Sequence, residues 1–418
     1  MPTFRFIHCS DLHIDSPFKE VSSLQPELAD KLRASTFQAF ENILQLALKE
    51  KVDAVLIAGD IYDSAEKSLR AQLKFRRGLD ELSQAGIASF IVHGNHDPLN
   101  SWSASLKWPE KVTIFSGKEV EHVPIVKEGR TVARIYGISF PEQNVQENLA
   151  LKFKLESSDE FAIGLLHTNV GGNKNHGSYA PCSVDDLCST GMDYWALGHI
   201  HVPQILRSND PAIVYSGNSQ ARHFNETGEK GCYLVTVPEQ GTPDIKFHCM
   251  DAVRFRSEKI DLAQISTLDD LLVKLRALCE QCSAEAKGRA LVLRIQLTGR
   301  TLLHKELQGS ETLDDLREDL LQDFAKRETW VWPEMVINTQ GTYDIDKLRQ
   351  GEDFIADLIG LYDQVAMGNH QDELDTLLKP LYENWQGRKF LDDLSEEDLQ
   401  ELVIQARNLT LDELIAEE

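Results

Sequence analysis

Nowhere in the 418 residues does an apolar run approach the roughly 18 that a membrane-spanning helix needs, so no such helix is expected. The opening MPTFRFIHCS lacks the basic and apolar regions of a secretory signal, and the expected location is the cytoplasm. A disulfide framework is missing too, because seven cysteines scattered along a long chain suit reduced thiols. Positive charge is scarce: 43 Lys and Arg face 67 Asp and Glu, for a formal net charge of −24. The deficit is local. Residues 301–418 hold 29 acidic and 10 basic residues, whereas the first 300 hold 38 and 33. The acidity therefore belongs to the tail, as a solvated helical face or a contact for a basic partner protein. It neither supports nor excludes nucleic acid as a substrate of the first part. There is no internal repeat and no low-complexity tract.

What is present is ample apolar content, 42%, and a length that argues for two or three domains. FRFIHCS, VDAVLIAG, IASFIVHG and EFAIGLLH read as buried strands, and LADKLRASTFQAFENILQLALKE and SLRAQLKFRRGLDELSQAG carry helical i, i+3, i+4 spacing. This alternation predicts an α/β fold. Between Val112 and Ser139, and again between Gln204 and Val237, strands follow one another with short turns, which adds antiparallel sheet. Two stacked sheets with helices outside satisfy both patterns. From Asp251 the rhythm becomes strand, helix, strand, helix, strand over about 90 residues, a compact α+β module. A helical string, YDIDKLRQGEDFIADLIGLYDQVA, and two further helices around ELDTLLKPLYENW and SEEDLQELVIQARNL complete the chain, the last with Ser395 as N-cap. The expected divisions are 1–250, 251–344 and 345–418.

The strands of the first module end in unusual residues. Asp11 and His13, then Asp60 and Asp63, then Asn95, His96 and Asp97, then His167, and finally His199 and His201 each follow an apolar run. In α/β sheets the carboxyl edge is where ligands bind. Side chains at i and i+2 of an extended segment point the same way, so His199 and His201 converge on one volume. Taken singly, each of these strings is an ordinary turn or a hydrogen-bonded surface feature. Taken together, five strand ends rich in Asp and His are costly to bury without partners, and a pair of divalent cations supplies them. Two cations about 3.5–4 Å apart clamp a phosphate ester and activate water, provided a carboxylate bridges them. Asp60 is placed for that. Imidazole, carboxylate and amide donors without thiolate suit Mn²⁺ or similar borderline ions better than a structural zinc. His96 is the candidate to protonate the departing oxygen, with Asp63 orienting its ring.

Asp11/His13, GDIYD, GNHD, His167 and GHIH together resemble the five motifs of the calcineurin-like metallophosphoesterases, with every expected position filled over residues 1–220. LLHTNVGGNKNHGSYAPCSVDDL and YSGNSQARHFNETGEKGCYL are similar, more narrowly, to the SbcD-type DNA-repair exonucleases, especially their bacterial YhaO branch. The resemblance implies a two-sheet metallophosphoesterase sandwich. It implies one metal held by Asp11, His13, Asp60 and His201, and a second by Asp60, Asn95, His167 and His199. It implies DNA as substrate, a capping module at 251–344 that steers it, and helices at 345–418 that dock on an SMC-like ATPase of the SbcC type. A homodimer is an open alternative assembly. In archaeal and eukaryotic members the position of Asp63 is typically histidine, and Asp63 instead matches the phosphatase-like pattern, which leaves endonuclease against exonuclease cleavage open.

His176, in the glycine-rich loop 171–178, and His223, in QARHFNETGEKG, are candidates to line the substrate cleft, since loops beside a rigid sheet often carry binding residues. His8, His93, His122, His248, His304 and His370 read as surface or packing histidines. CEQC, Cys279 to Cys282, has zinc-ligand spacing but lies in a helical pattern without a second pair, and reads as helix packing. Lys74, Arg76 and Arg77 read as a solvated helix face. Trp102 and Trp108 either stack on a base or pack beneath a loop. Two other classes of function stay open: a metallophosphoesterase acting on nucleotides or phosphoproteins, and a non-catalytic adaptor. The complete ligand set weighs against the adaptor, which has no need of it.

Overall fold

Period-two alternation in the apolar runs decides which layer each strand face meets. A computed structural model describes residues 3–16, 18, 26–63, 68–156, 161–172, 179–239, 242–383 and 395–415. The first half runs β1 (Phe4–Cys9), α1 (Pro26–Glu50), β2 (Ala54–Ala58), α2 (Leu69–Gln84), β3 (Ala88–Val92) and β4 (Val112–Ile114). There follow β5 (Glu121–Lys127), β6 (Arg130–Gly137), β7 (Phe161–His167), α3 (Val184–Cys188), β8 (Tyr194–Gly198), β9 (Gln204–Ser208), β10 (Ala212–Tyr215), β11 (Gly231–Val237) and β12 (Asp244–Cys249). These strands build two six-stranded mixed sheets, ordered β12-β11-β1-β2-β3-β4 and β5-β6-β7-β8-β10-β9.

The sheets stack through a shared core. Phe4 and Phe6 of β1, Leu56 of β2, Ile163 of β7 and Ala196 of β8 meet there. The alternate residues face outward: Ile7, Val55 and Ile57 meet Phe40, Ile43 and Phe75 of the helices, while Trp195 and Leu197 form a third cluster with Phe153 and Leu187. Each such large apolar side chain, fully buried, contributes roughly 1.5–3 kcal/mol. Helix α1 presents Leu32, Thr36, Ala39, Ile43 and Ala47 as one buried stripe. Helix α2 starts where Ser68 accepts a hydrogen bond from Ala71 N at 2.9 Å.

The two regions expected to be antiparallel meanders are more than that. In the first, β4 pairs in parallel with β3 in one sheet, and the chain then crosses to the other for the β5–β6 hairpin. In the second, β9 and β10 are antiparallel, but β11 lies in the opposite sheet, antiparallel to β1. The segment 216–230 makes that crossing, so it is a connection between layers rather than a turn.

Beyond the sandwich come β13 (Val253–Asp261), α4 (Leu268–Glu285), β14 (Ala290–Arg300), α5 (His304–Gln308), α6 (Ser310–Phe324) and β15 (Val331–Gln340). The strands form a third sheet, ordered β13-β14-β15. Cys279 and Cys282 are fully buried in α4, in keeping with helix packing. The tail holds α7 (Ile345–Arg349), α8 (Phe354–Ala366), α9 (Gln371–Glu383) and α10 (Glu396–Leu414). The expected helical string at 343–366 is thus split, with α7 ending at Arg349, capped by Gln350 before Gly351, and α8 restarting on an Asp353 cap. Ser395 caps α10 in a reciprocal pair with Asp398. Within this part Asp412 accepts from Gly341 N at 2.9 Å and lies 3.5 Å from His304 Nε2.

Contacts divide the chain into two units, one of 1–257 with 281–293 and 324–332, the other of 258–280, 294–323 and 333–418. Among the described residues no helix is long and apolar enough to cross a membrane.

Candidate metal centre

Strands β1, β2 and β3 are parallel neighbours, as are β7 and β8, so their carboxyl ends fall on one edge of the sandwich. The loops leaving that edge are tied together by backbone bonds, Asp11 N to Gly59 O at 3.0 Å and His13 N to Asp60 O at 3.1 Å. His199 N donates to both Asp11 carboxylate oxygens, at 3.1 and 3.2 Å, which stitches the second sheet to the first. Asp11, His13, Asp60 and His199 all have positive φ, between 42° and 100°. Such left-handed non-glycine residues cost of order 1–3 kcal/mol each and persist where the surroundings over-determine them. Here they turn four polar side chains into one pocket.

Three histidines are fixed by their Nδ1 atoms, which turns Nε2 toward the pocket. His167 Nδ1 donates to Ala58 O at 2.8 Å, His201 Nδ1 meets Glu226 Oε1 at 2.5 Å, and His13 Nδ1 lies 3.2 Å from Asp63 Oδ1. His167 Nε2 then sits 3.3 Å from Asp60 Oδ2 and 3.0 Å from Asn95 Oδ1, and His201 Nε2 sits 3.7 Å from Asp11 Oδ1. The His199 ring lies 5.3 Å from that of His167, centroid to centroid. His96 Nδ1 contacts Asp63 Oδ1 at 2.7 Å, while its backbone N donates to Asp60 Oδ1 at 2.9 Å. All seven expected ligands and the His96–Asp63 pair are therefore brought together.

The electrostatics follow from burial and crowding. Burial alone raises the Asp60 carboxyl, but His167, with His96 and His13, outweighs it and holds Asp60 well below the usual carboxylate range. Burial disfavours a charged imidazole at His167, yet the Asp60 carboxylate raises that ring to about 9. For His96 the hydrogen bond to Asp63 and the charge of Asp60 likewise overcome burial, and its pKa rises. Burial and the Arg222 cation lower His13 against the pull of Asp63.

The residues fit a pair of divalent cations. His13 Nε2 is buried with no hydrogen-bond partner, as a ligand atom facing an ion site is. Among the described residues, ligand atoms of Asp11, His13 and His201 lie within 4.8 Å of one another, as do those of Asp11, Asp60 and His167. Asp11 is common to both sets, while Asp60, expected to bridge, belongs to the second. A further set joins His13, Asp63 and His96. Cations would supply the positive charge that protonated imidazoles otherwise bring to these carboxylates. Cys9 does not add a thiolate, since burial pushes its pKa up to about 12.

Sequence reasoning missed the supports. Glu226, 5% exposed, holds His201 and also accepts from Arg222 N at 2.7 Å and Asn218 Nδ2 at 2.8 Å. Arg222 Nη1 donates to Asp63 Oδ2 at 3.3 Å, and Ser16 Oγ donates to the same oxygen. Asp97, fully buried, accepts from Gly94 N and Ile61 N and so joins the loops carrying Asn95 and Asp60. Asp97 was read only as one of the polar strand-end residues, and the string QARHFNETGEKG, which holds Arg222 and Glu226, was read only for His223, whose Nε2 lies 3.3 Å from Glu226. His176 lies outside the described residues. Trp102 is 61% exposed, while Trp108 packs against the apolar cluster of α1 and α2. Lys74 lies over the Phe37 ring and Arg76 donates to Lys107 O.

Residues 4–203 match the family described as calcineurin-like phosphoesterase, and residues 255–340 match the middle domain of metallophosphoesterase YhaO. The chain is 34% identical over 411 residues to the uncharacterized metallophosphoesterase YhaO of Bacillus subtilis (strain 168), covering 96% of each. It is 24% identical over 220 residues to the DNA double-strand break repair protein Mre11 of Sulfurisphaera tokodaii, covering 51% of this chain and 53% of that one. It is 24% identical over 257 residues to a component of the nuclease SbcCD of Bacillus subtilis (strain 168), covering 54% and 63%. The match thus spans between about half and two thirds of each of those two relatives.

Proposed function

Since the chain belongs to the calcineurin-like metallophosphoesterases, we propose that it is a Mn²⁺-dependent phosphodiesterase that degrades DNA from its ends. The observation that carries this reading is the convergence of Asp11, His13, Asp60, Asn95, His167, His199 and His201 at one edge of the sandwich, with His96 beside them on the exposed side. Asp11, His13, Asp60 and His201 would hold one cation, and Asp60, Asn95, His167 and His199 the other. When bound, such a pair supplies Lewis acidity to the phosphate ester and lowers the pKa of water at the site.

The protein's own groups do the rest. Asp63, held ionised by its histidine bonds and Arg222 despite burial, fixes the His96 ring through Nδ1. The raised pKa keeps a proton on His96, and Nε2 delivers it to the departing oxygen. The side chain is 42% exposed, so a chain substrate reaches it. DNA is favoured as substrate by the relatives named for DNA repair and for the SbcCD nuclease. We further assign 1–250 to hydrolysis, 251–344 to substrate steering and the acidic helices of 345–418 to docking on an SMC-like ATPase in the cytoplasm, and a pull-down of such an ATPase by the intact chain but not by one lacking 345–418 is the expected outcome.

The deciding assay compares Mn²⁺-dependent degradation of end-labelled duplex, single-stranded DNA and bis-p-nitrophenyl phosphate. Release of end label from duplex is the expected outcome. Hydrolysis of the small diester with both DNA substrates intact would overturn the DNA reading and favour a nucleotide or phosphoprotein substrate.

A further inference from the structure

Flanking the loop that carries Asn95 and His96 is a cavity of about 210 Å³ between α2 and residues 98–108. Phe75 packs against Tyr62 and Trp108 edge to face, at centroid distances of 5.8 and 6.2 Å, and all three rings line it. Leu99 and Pro98 add apolar wall. His93, Ser101 and Ser103 contribute polar atoms to the lining, and so does Gln72, only 3% exposed. Its Oε1 accepts from Ala104 N at 2.8 Å, which fixes the orientation of the amide. Its Nε2 is left buried with no hydrogen-bond partner. An unpaired buried donor costs about 1–3 kcal/mol, so the cavity is built one acceptor short.

Size and lining narrow what fills it. Drug-sized ligands occupy roughly 300–1,000 Å³, so this cavity takes one ring system and not a whole nucleotide. Aromatic walls prefer a flat π surface, stacked or edge-on. A saturated apolar occupant would leave Gln72 unsatisfied, whereas a ring nitrogen or carbonyl oxygen pairs with it.

We propose that this cavity binds a single planar heteroaromatic ring of nucleobase size, whose acceptor atom takes the hydrogen bond from Gln72 Nε2. The occupant lies against His93, whose Nδ1 is 3.2 Å from Asp97 Oδ2, the carboxylate that ties Gly94 to Ile61. A bound base therefore braces the loop that positions Asn95 and His96. The base arrives free, as a nucleoside, or at the end of a strand. The inference does not rest on the proposed hydrolytic activity, because binding is read without turnover.

The test is saturation-transfer NMR on the full-length, metal-free protein with adenine, adenosine and a short single-stranded oligonucleotide. Adenine receives saturation from the wild type. Binding weakens at least tenfold in Gln72→Met, which removes the donor, and in Ala104→Leu, which fills the space. Displacement of adenine by the oligonucleotide assigns the base to a strand end, and its failure to displace assigns it to the free base. No transfer to adenine in the wild type, or equal transfer in both variants, overturns the proposal.

Discussion

Replacing Glu226 with Gln tests whether the metal centre depends on its supporting carboxylate. Glu226 receives hydrogen bonds from His201 Nδ1, Asn218 Nδ2 and the backbone N of Arg222, at 2.5, 2.8 and 2.7 Å, in a site where its side chain is 6% exposed. Burial raises its pKa, but the His201 bond and the charges of His201 and Arg222 outweigh that, so it is held ionised. Glutamine keeps the shape and turns one of the two acceptor atoms into a donor. At least one of the three incoming N–H groups then meets another donor, at a cost of about 1–3 kcal/mol. His201 also loses the carboxylate that fixes its tautomer, and such losses typically lower metal affinity or activity by roughly 10–100-fold. Calorimetric titration with Mn²⁺ is the assay. One of two binding events is expected to weaken by that factor, while the site built on Asn95, His167 and His199 keeps its affinity. If both events stay within twofold of wild type, the coupling through His201 is refuted.

Three further expectations follow from the same geometry. Gly94→Ala places a Cβ 2.3 Å from Asp60 Oδ1 and 2.8 Å from His167 Nε2, so it should cost at least 100-fold in hydrolysis of a model diester, and near-normal activity would contradict the close approach. His96→Ala should keep both Mn²⁺ binding events while abolishing hydrolysis, whereas Asp60→Ala should lose both events; the two titrations run side by side check this. Burial lowers His8 from 6.5 to about 3, against opposing pulls from Leu197 O and Asp11, so the folded state keeps this ring neutral. Its contribution is present above pH 6.5 and is lost as pH falls from there toward 3, at up to about 1.4 kcal/mol per pH unit. Urea midpoints at pH 7 and pH 5 should therefore differ more in wild type than in His8→Gln.

The strand ends were legible because each apolar run stops abruptly at a polar residue, as where AVLIA gives way to Gly59 and Asp60. The two-layer arrangement was legible as well, since both faces of β1, β2 and β8 are apolar and each needs a covering layer. The sheet crossing at 216–230 was not, because a run of turn-forming residues between strands looks the same whether it closes a hairpin or spans a sandwich. Glu226 and Arg222 stayed hidden for a related reason. Their partners, His201 and Asp63, lie 25 and 159 residues away, and no local period encodes such pairings.

The placement of the site on the join between two sheets has a consequence for how the protein matures. Asp11, Asp60 and Asn95 come from the ends of one sheet, and His167, His199 and His201 from the other. Neither layer alone carries a usable set, so the centre comes into being only once the halves have closed on each other. An ion bound there would favour the closed sandwich over either layer alone, because only the closed arrangement offers it the full set of donors.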